Sequence, residues 1–236
     1  MNMYPRPVRE IHQIELSTRC QLRCHYCPHY PKLPRAKEDM SWEIFERSMV
    51  VVKHFCDQGT QTELSLTGIG ESLLHPRFVE MCTVARQIIG WNRPLVVTTN
   101  GIDFTEEIAK HLAALKASVF VSLHRPEKAA FAMHYAKKAG VFAKENNSFA
   151  TSSFDWAGHQ KNWTEIRSAP KIKCDFLGKG WAVILVDGRV ATCCLDATGA
   201  SSVGSINDDP STLTLKPWGD EKVGCAKCHM SIPGEE

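Results

Sequence analysis

The sequence has few of the features that mark a membrane, secreted or disordered protein. Its longest apolar runs, such as Trp181 to Val186, fall far below the ~20 residues a membrane-spanning helix requires. No secretory leader opens the chain, because Met1 to Glu10 is polar and contains proline. Neither sign of charge dominates: the formal net charge is +2. That permits an anionic partner without demanding one and counts mildly against a tight DNA binder. Internal repeats and low-complexity tracts are absent.

Cysteine is abundant instead, with ten in 236 residues. In a chain without a leader, cysteines point to metal ligation or catalysis rather than to bridges. The cytoplasm is the expected compartment, a host's cytoplasm if the chain is phage-encoded. Hydrophobic content of 43% and charged content of 23% are ordinary for a globular protein. The length suits one domain, or one domain with a small appendage.

Periodicity predicts an α/β fold. Ile11 to Ser17 reads as a strand that delivers a cysteine-bearing loop. Ser41 then caps a helix with Phe45, Met49, Val52 and Cys56 on one face. Glu63 to Thr67 is a second strand, followed by a helix from about Arg77 that buries Phe78, Cys82, Ala85 and Ile89 and stops at Gly90. Pro94 to Thr99 and Ser118 to Leu123 are further strands, separated by a helix through Leu112 and Leu115. A helix from Glu127 to Ala139 ends at Gly140. Val141 to Ala143 and Ser148 to Ser152 are short strand candidates. Such alternation implies parallel βα units with their sites at the carboxyl ends of the strands. Near residue 171 the helical periodicity stops, and Trp181 to Val186, Asp187-Gly188 and Arg189 to Thr192 read as a hairpin. Two segments are therefore expected, 1–170 and 171–236.

The chemistry concentrates in Cys20, Cys24 and Cys27, a CxxxCxxC loop after the first strand. A structural zinc site takes four protein ligands, as does a closed 4Fe–4S cluster. Three cysteines without a fourth ligand at usable spacing suggest a cluster with one iron open. This loop, with Tyr26 before its last cysteine, resembles the signature of the radical S-adenosylmethionine (radical SAM) superfamily. The resemblance implies a 4Fe–4S cluster on three cysteines, with SAM bound to the open iron and cleaved to a 5′-deoxyadenosyl radical. It also implies a partial (β/α) barrel with a small C-terminal β-hairpin and iron–sulfur module.

Gly68-Ile69-Gly70-Glu71 resembles the family's GGEP motif, which holds the SAM amino group. Here Ile69 separates the glycines and Ser72 replaces the usual proline. By the same resemblance Asn100 and Ser122, with Thr99 and His124 beside them, meet the SAM ribose and carboxylate. In the tail, Cys174, Cys193, Cys225 and Cys228 resemble the SPASM/twitch module, whose four cysteines hold an auxiliary 4Fe–4S cluster; a zinc ribbon uses the same ligand set. Cys194 reads as a bystander, since neighbouring strand side chains point apart. Asp155 and His159 are candidates for orienting a substrate or moving a proton. Lys161, Arg167, Lys171, Lys173 and Lys179 either line an anionic groove or are scattered surface charges.

Three substrate classes compete: a ribosomally made peptide, a small molecule undergoing dehydrogenation, and modified DNA. The compact chain loosely resembles phage radical SAM proteins of thymine hypermodification, which implies moving a glycine on thymine from a nitrogen to a carbon linkage. The resemblance also implies an electron donor such as a flavodoxin or ferredoxin. A non-catalytic iron–sulfur or zinc module is the alternative outside enzymology.

Overall fold

The computed structural model describes residues 4–24, 26–30, 32–146 and 172–219, with 224, 225, 228, 232 and 233. The short β1 (Arg6–Pro7) precedes β2 (Glu10–Ile14). Then come α1 (Trp42–Asp57), β3 (Leu64–Leu66), α2 (Phe78–Ile89), β4 (Leu95–Thr99), α3 (Glu106–Ala114), β5 (Ser118–Ser122), α4 (Pro126–Ala139) and β6 (Phe142–Asn146). The chain resumes with β7 (Ile172–Lys173), α5 (Asp175–Lys179), β8 (Trp181–Ile184), β9 (Arg189–Ala191), β10 (Ser202–Ser205), β11 (Thr214–Leu215) and β12 (Ile232–Pro233). The strand candidate at Ser148 to Ser152, and Asp155, His159, Lys161, Arg167 and Lys171, lie outside the described residues.

The local signals act as expected. Ser41 caps α1, its hydroxyl accepting the Ile44 N–H at 3.2 Å, and Thr105 does the same for α3. Gly140 ends α4 at φ 74°, a left-handed turn that glycine enters without steric cost. One sheet of eight strands runs in the order β10-β9-β8-β2-β3-β4-β5-β6. Strands β2 to β6 pair in parallel, each crossover carrying a helix. Ile11, Ile14, Leu64, Leu66, Leu95, Val97, Val119 and Val121 are fully buried. They share one core with Phe45 and Val52 of α1, Met81, Cys82 and Ile89 of α2, and the alanine face of α4. Cys82 is a core residue, its thiol pushed up by burial.

The C-terminal hairpin joins the main sheet. Its first strand, β8, pairs in parallel with β2, from Glu10 opposite Trp181 to Ile14 opposite Ile184. The hairpin therefore extends the main sheet. The physical reason lies in β2: without β8 its backbone groups would be unpaired beside the buried Ile11 and Ile14, which is costly. The hairpin connection is longer than a two-residue turn. The Gly188 N–H bonds the Leu185 carbonyl at 2.9 Å, and Gly188 takes φ +83°.

Helix α2 buries an arginine on the face that periodicity assigns to apolar residues. Arg86 is 1% exposed. Its guanidinium donates to the carbonyls of Leu115, Gly90, Arg93 and Lys116. The cation thus closes the carboxyl ends of α2 and α3, where carbonyls lack helical partners and the dipoles favour positive charge. Arg86→Met leaves those carbonyls unpaired and is expected to lower stability by roughly 3 kcal/mol. Lys53→Met, which breaks an exposed pair with Asp57, should barely move the urea midpoint. Equal midpoints for the two variants would refute this role.

Candidate functional site

The loop after β2 is closed at its base by short side chains. The Ser17 hydroxyl donates to Asp39 at 2.7 Å, and the Thr18 hydroxyl to the Ala36 carbonyl at 2.7 Å. The Met40 N–H bonds the Leu16 carbonyl at 2.8 Å. Buried Leu22 and Leu33 anchor the loop between these ends. This leaves Cys20, Cys24 and Cys27 half-buried along one cleft. The Leu22 N–H points at the Cys20 sulfur at 3.4 Å. Burial pushes the Cys20 thiol up to about 11 and the Cys27 thiol up to about 12. Both shifts come chiefly from desolvation, which disfavours the thiolate.

The glycine turn packs against this loop. The Glu71 N–H donates to the Arg19 carbonyl at 2.7 Å. A Cβ on Gly70 would lie 2.2 Å from the Ser17 carbonyl oxygen, and one on Gly68 would lie 2.4 Å from Glu15 Cγ. Glycine is required because the protein's own chain comes this close. The departures from GGEP are also accounted for. Ile69 is buried in the core, and the Ser72 hydroxyl bonds the Leu66 carbonyl at 2.9 Å.

Glu71 is buried, and burial raises its carboxyl to about 7 against the opposing bonds from Asn100 and Leu73. Its Oε2 accepts the Asn100 N–H at 2.7 Å and its Oε1 the Leu73 N–H at 3.3 Å. The Asn100 amide in turn donates to Gln21 at 3.2 Å and lies 3.8 Å from the Cys20 sulfur. Tyr26 and His124 are joined by a 2.7 Å hydrogen bond between the phenol oxygen and Nδ1. Burial lowers the His124 pKa and raises that of Tyr26. Cys20, Cys24, Cys27, Tyr26, Gly68, Gly70, Glu71, Asn100, Ser122 and His124 all line one cleft of about 640 Å³, part of it open to solvent. Thr67 and Thr98 line it as well; nothing but their strand-end position in the sequence marked them.

A second cleft gathers the tail cysteines. Cys174, Cys193, Cys225 and Cys228 line it with Phe176, Leu177, Thr192 and Trp218. The Leu195 N–H points at the Cys193 sulfur at 3.3 Å and the Trp218 N–H at the Cys225 sulfur at 3.5 Å. Cys194 is not among the residues that line this cleft and packs against the apolar core. It lies beyond the end of β9 and sits in the field of Cys174 and Cys228, with its thiol pushed up to about 12, chiefly by burial. Among the described residues, no three His, Cys, Asp or Glu side chains converge on one point as a single metal ion requires.

A buried ion pair ties the loop after β2 to the glycine turn and to the C-terminal hairpin. The Arg35 Nη atoms meet both Glu15 carboxylate oxygens, at 2.7 and 2.8 Å, and the side chains are only 8% and 2% exposed. Glu15 also accepts the N–H groups of Ile69 at 3.2 Å and Val186 at 3.3 Å. Arg35 Nε donates to the Ala197 carbonyl at 3.0 Å.

Among known proteins, the Pyrococcus furiosus tungsten-containing aldehyde ferredoxin oxidoreductase cofactor-modifying protein is 32% identical over 107 residues, covering 43% of this chain and 27% of that one. Molybdenum cofactor biosynthesis protein 1 of Bos taurus is 32% identical over 114 residues, 47% of this chain and 17% of that one. The chain thus spans less than a third of the length of either relative. Among solved structures, BtrN in complex with AdoMet and 2-DOIA superposes with a TM-score of 0.67 at 18% identity, covering 86% of this chain and 84% of that one. The structure of anSMEcpe with bound AdoMet and Cp18Cys peptide gives 0.58 at 17% identity, covering 85% and 78%. These likenesses show the fold: a partial (β/α) barrel of parallel strands, as the sequence led one to expect. No helix among the described residues is long and apolar enough to cross a membrane. The Radical SAM superfamily pattern matches residues 14–144, more than half of the chain, and the protein belongs to that superfamily.

Proposed function

We propose that the chain binds SAM in the first cleft, cleaves it reductively and uses the resulting radical to take hydrogen from a substrate. The observation that carries this reading is the meeting of Cys20, Cys24 and Cys27 with the Gly68–Glu71 turn, Asn100 and Ser122 on one cleft. A 4Fe–4S cluster on those three cysteines, with one iron left for SAM, supplies the one-electron chemistry when bound. The turn backbone receives the SAM amino group, while Asn100 and Ser122 meet its polar ribose and carboxylate. Tyr26, held by His124, closes the cysteine side. The Glu71 carboxylate, occupied by the Asn100 and Leu73 N–H groups, fixes the turn to the end of β4. Cys174, Cys193, Cys225 and Cys228 hold an auxiliary 4Fe–4S cluster, a reading supported by their shared cleft. A flavodoxin- or ferredoxin-like protein provides the electron.

For the substrate, the resemblance to phage thymine-modifying proteins favours glycine-decorated thymine in DNA. Hydrogen removal from the glycine α-carbon, between an amine and a carboxylate, gives a stabilised radical; the bond from the glycine nitrogen to the thymine methylene carbon then breaks as one from the α-carbon to that methylene carbon forms, and the nitrogen radical left behind takes back a hydrogen atom from 5′-deoxyadenosine, so that the product is an isomer. Asp155 and His159 are the groups proposed to orient that amine or move its proton. A second reading, dehydrogenation of a small molecule, draws on the fold shared with BtrN over most of the chain.

Anaerobic reconstitution is expected to load about eight irons per chain, falling to about four in Cys24→Ser. That variant should form no 5′-deoxyadenosine under reduction; wild-type yield from it would remove the first cleft from the reaction. Gly70→Ala pushes the turn off the Ser17 and Arg19 carbonyls. It should keep its iron yet lose roughly tenfold or more of the cleavage rate, and an unchanged rate would contradict the turn's role. Incubation with DNA carrying glycine-decorated thymine should give a product of unchanged mass and altered retention. Inert DNA alongside loss of two hydrogens from an amino sugar would favour the second reading.

A further inference from the structure

We propose that the Glu15–Arg35 pair couples the tail cysteine site to the SAM-binding turn, so that metal assembly in the tail sets the affinity of the first cleft for SAM. This inference rests on the SAM reading above and adds a regulation to it.

The pair bonds the glycine turn that lines the first cleft and, on the other side, two segments of the tail that flank the cysteine cleft in sequence, in each case through backbone groups. On one side Glu15 holds the Ile69 N–H, at the centre of the glycine turn. Gly68 gives it room, since a Cβ there would overlap Glu15 Cγ at 2.4 Å. On the other side Glu15 holds the Val186 N–H in the hairpin connection, and Arg35 holds the Ala197 carbonyl. Ala197 belongs to the same short loop as Cys193. That loop is stiffened by Asp196, whose carboxylate accepts the N–H groups of Thr198, Gly199 and Ser201 at 2.9, 2.9 and 2.6 Å. The Asp196 N–H also meets the Cys193 carbonyl at 3.4 Å.

Binding of Cys193 to a metal centre therefore fixes a rigid loop, and its Ala197 carbonyl fixes the Arg35 fork. A guanidinium that grips both carboxylate oxygens in a plane transmits orientation as well as charge. Tilting Arg35 tilts Glu15, and with it the Ile69 N–H on the SAM side. The pair is nearly dry, so water offers little substitute for a lost bond. Coupling of this kind is reciprocal: SAM must tighten the hold of the tail on its metal by the same factor.

The test uses the full chain, reconstituted with iron and sulfide. SAM affinity is read from the change SAM causes in the spin-resonance signal of the reduced N-terminal cluster. Arg35→Lys, which keeps the charge and loses the fork, is expected to weaken SAM about tenfold with iron content unchanged. Cys225→Ser with Cys228→Ser should weaken it by a similar factor. Combining all three changes should weaken it no further than either set alone, because both cut one route. Wild type should also retain tail iron against a chelator better with SAM present, and Arg35→Lys should lose that difference. Should Arg35→Lys fail to fold, Glu15→Gln takes its place in the same cycle. Independent, multiplying losses would overturn the coupling, as would unchanged affinity in either set. No response to SAM in the wild type would instead overturn the SAM reading beneath it.

Discussion

The structure turns on one buried ion pair at the carboxyl end of β2. A carboxylate and a guanidinium taken out of water need excellent geometry to be tolerated, and removing one partner of such a pair costs about 3–5 kcal/mol. Here the Glu15 carboxylate meets four donors and Arg35 adds a carbonyl. Only one arrangement of the cysteine loop, the glycine turn and the hairpin satisfies all of them. Three loops, which the sheet alone would leave free to settle independently, thereby acquire a common reference point.

From that point the chemistry of the first cleft follows. The turn cannot approach Glu15 and Ser17 unless residues 68 and 70 lack a Cβ. Once seated, the turn brings Glu71 to the Asn100 N–H, and Asn100 to the cysteine loop. Burial makes bare thiolates unfavourable at Cys20 and Cys27. The tail repeats the same design with Cys193 and Cys225, each sulfur facing a backbone N–H. Such bonds are among the levers by which a protein tunes an iron–sulfur cluster.

Much of this was legible in the sequence because it depends on local rules. Apolar periodicity and caps located α1 to α4 and β2 to β5 within a few residues, and cysteine spacing located both clefts. What stayed hidden depends on long-range geometry. Periodicity treats Arg86 as a break in an apolar face, whereas the folded chain surrounds it with carbonyls from two helix ends. Glu15 sits between the apolar Ile14 and Leu16 and Arg35 follows a proline in the loop, and they become partners only when the loop folds back. The crowding that demands glycine at 68 and 70 comes from the protein itself, out of reach of local sequence rules. The hairpin was recognised, but a turn signal does not reveal that its free edge belongs beside β2.

The central claim is that three thiolates leave one iron for SAM. Electron–nuclear double resonance on the reduced, reconstituted protein tests it most directly, using SAM labelled at its amino nitrogen and carboxylate carbon. Hyperfine coupling from both labels, lost when Cys20, Cys24 or Cys27 is replaced, is the predicted result. A loaded cluster that shows no coupling to either label would contradict the account.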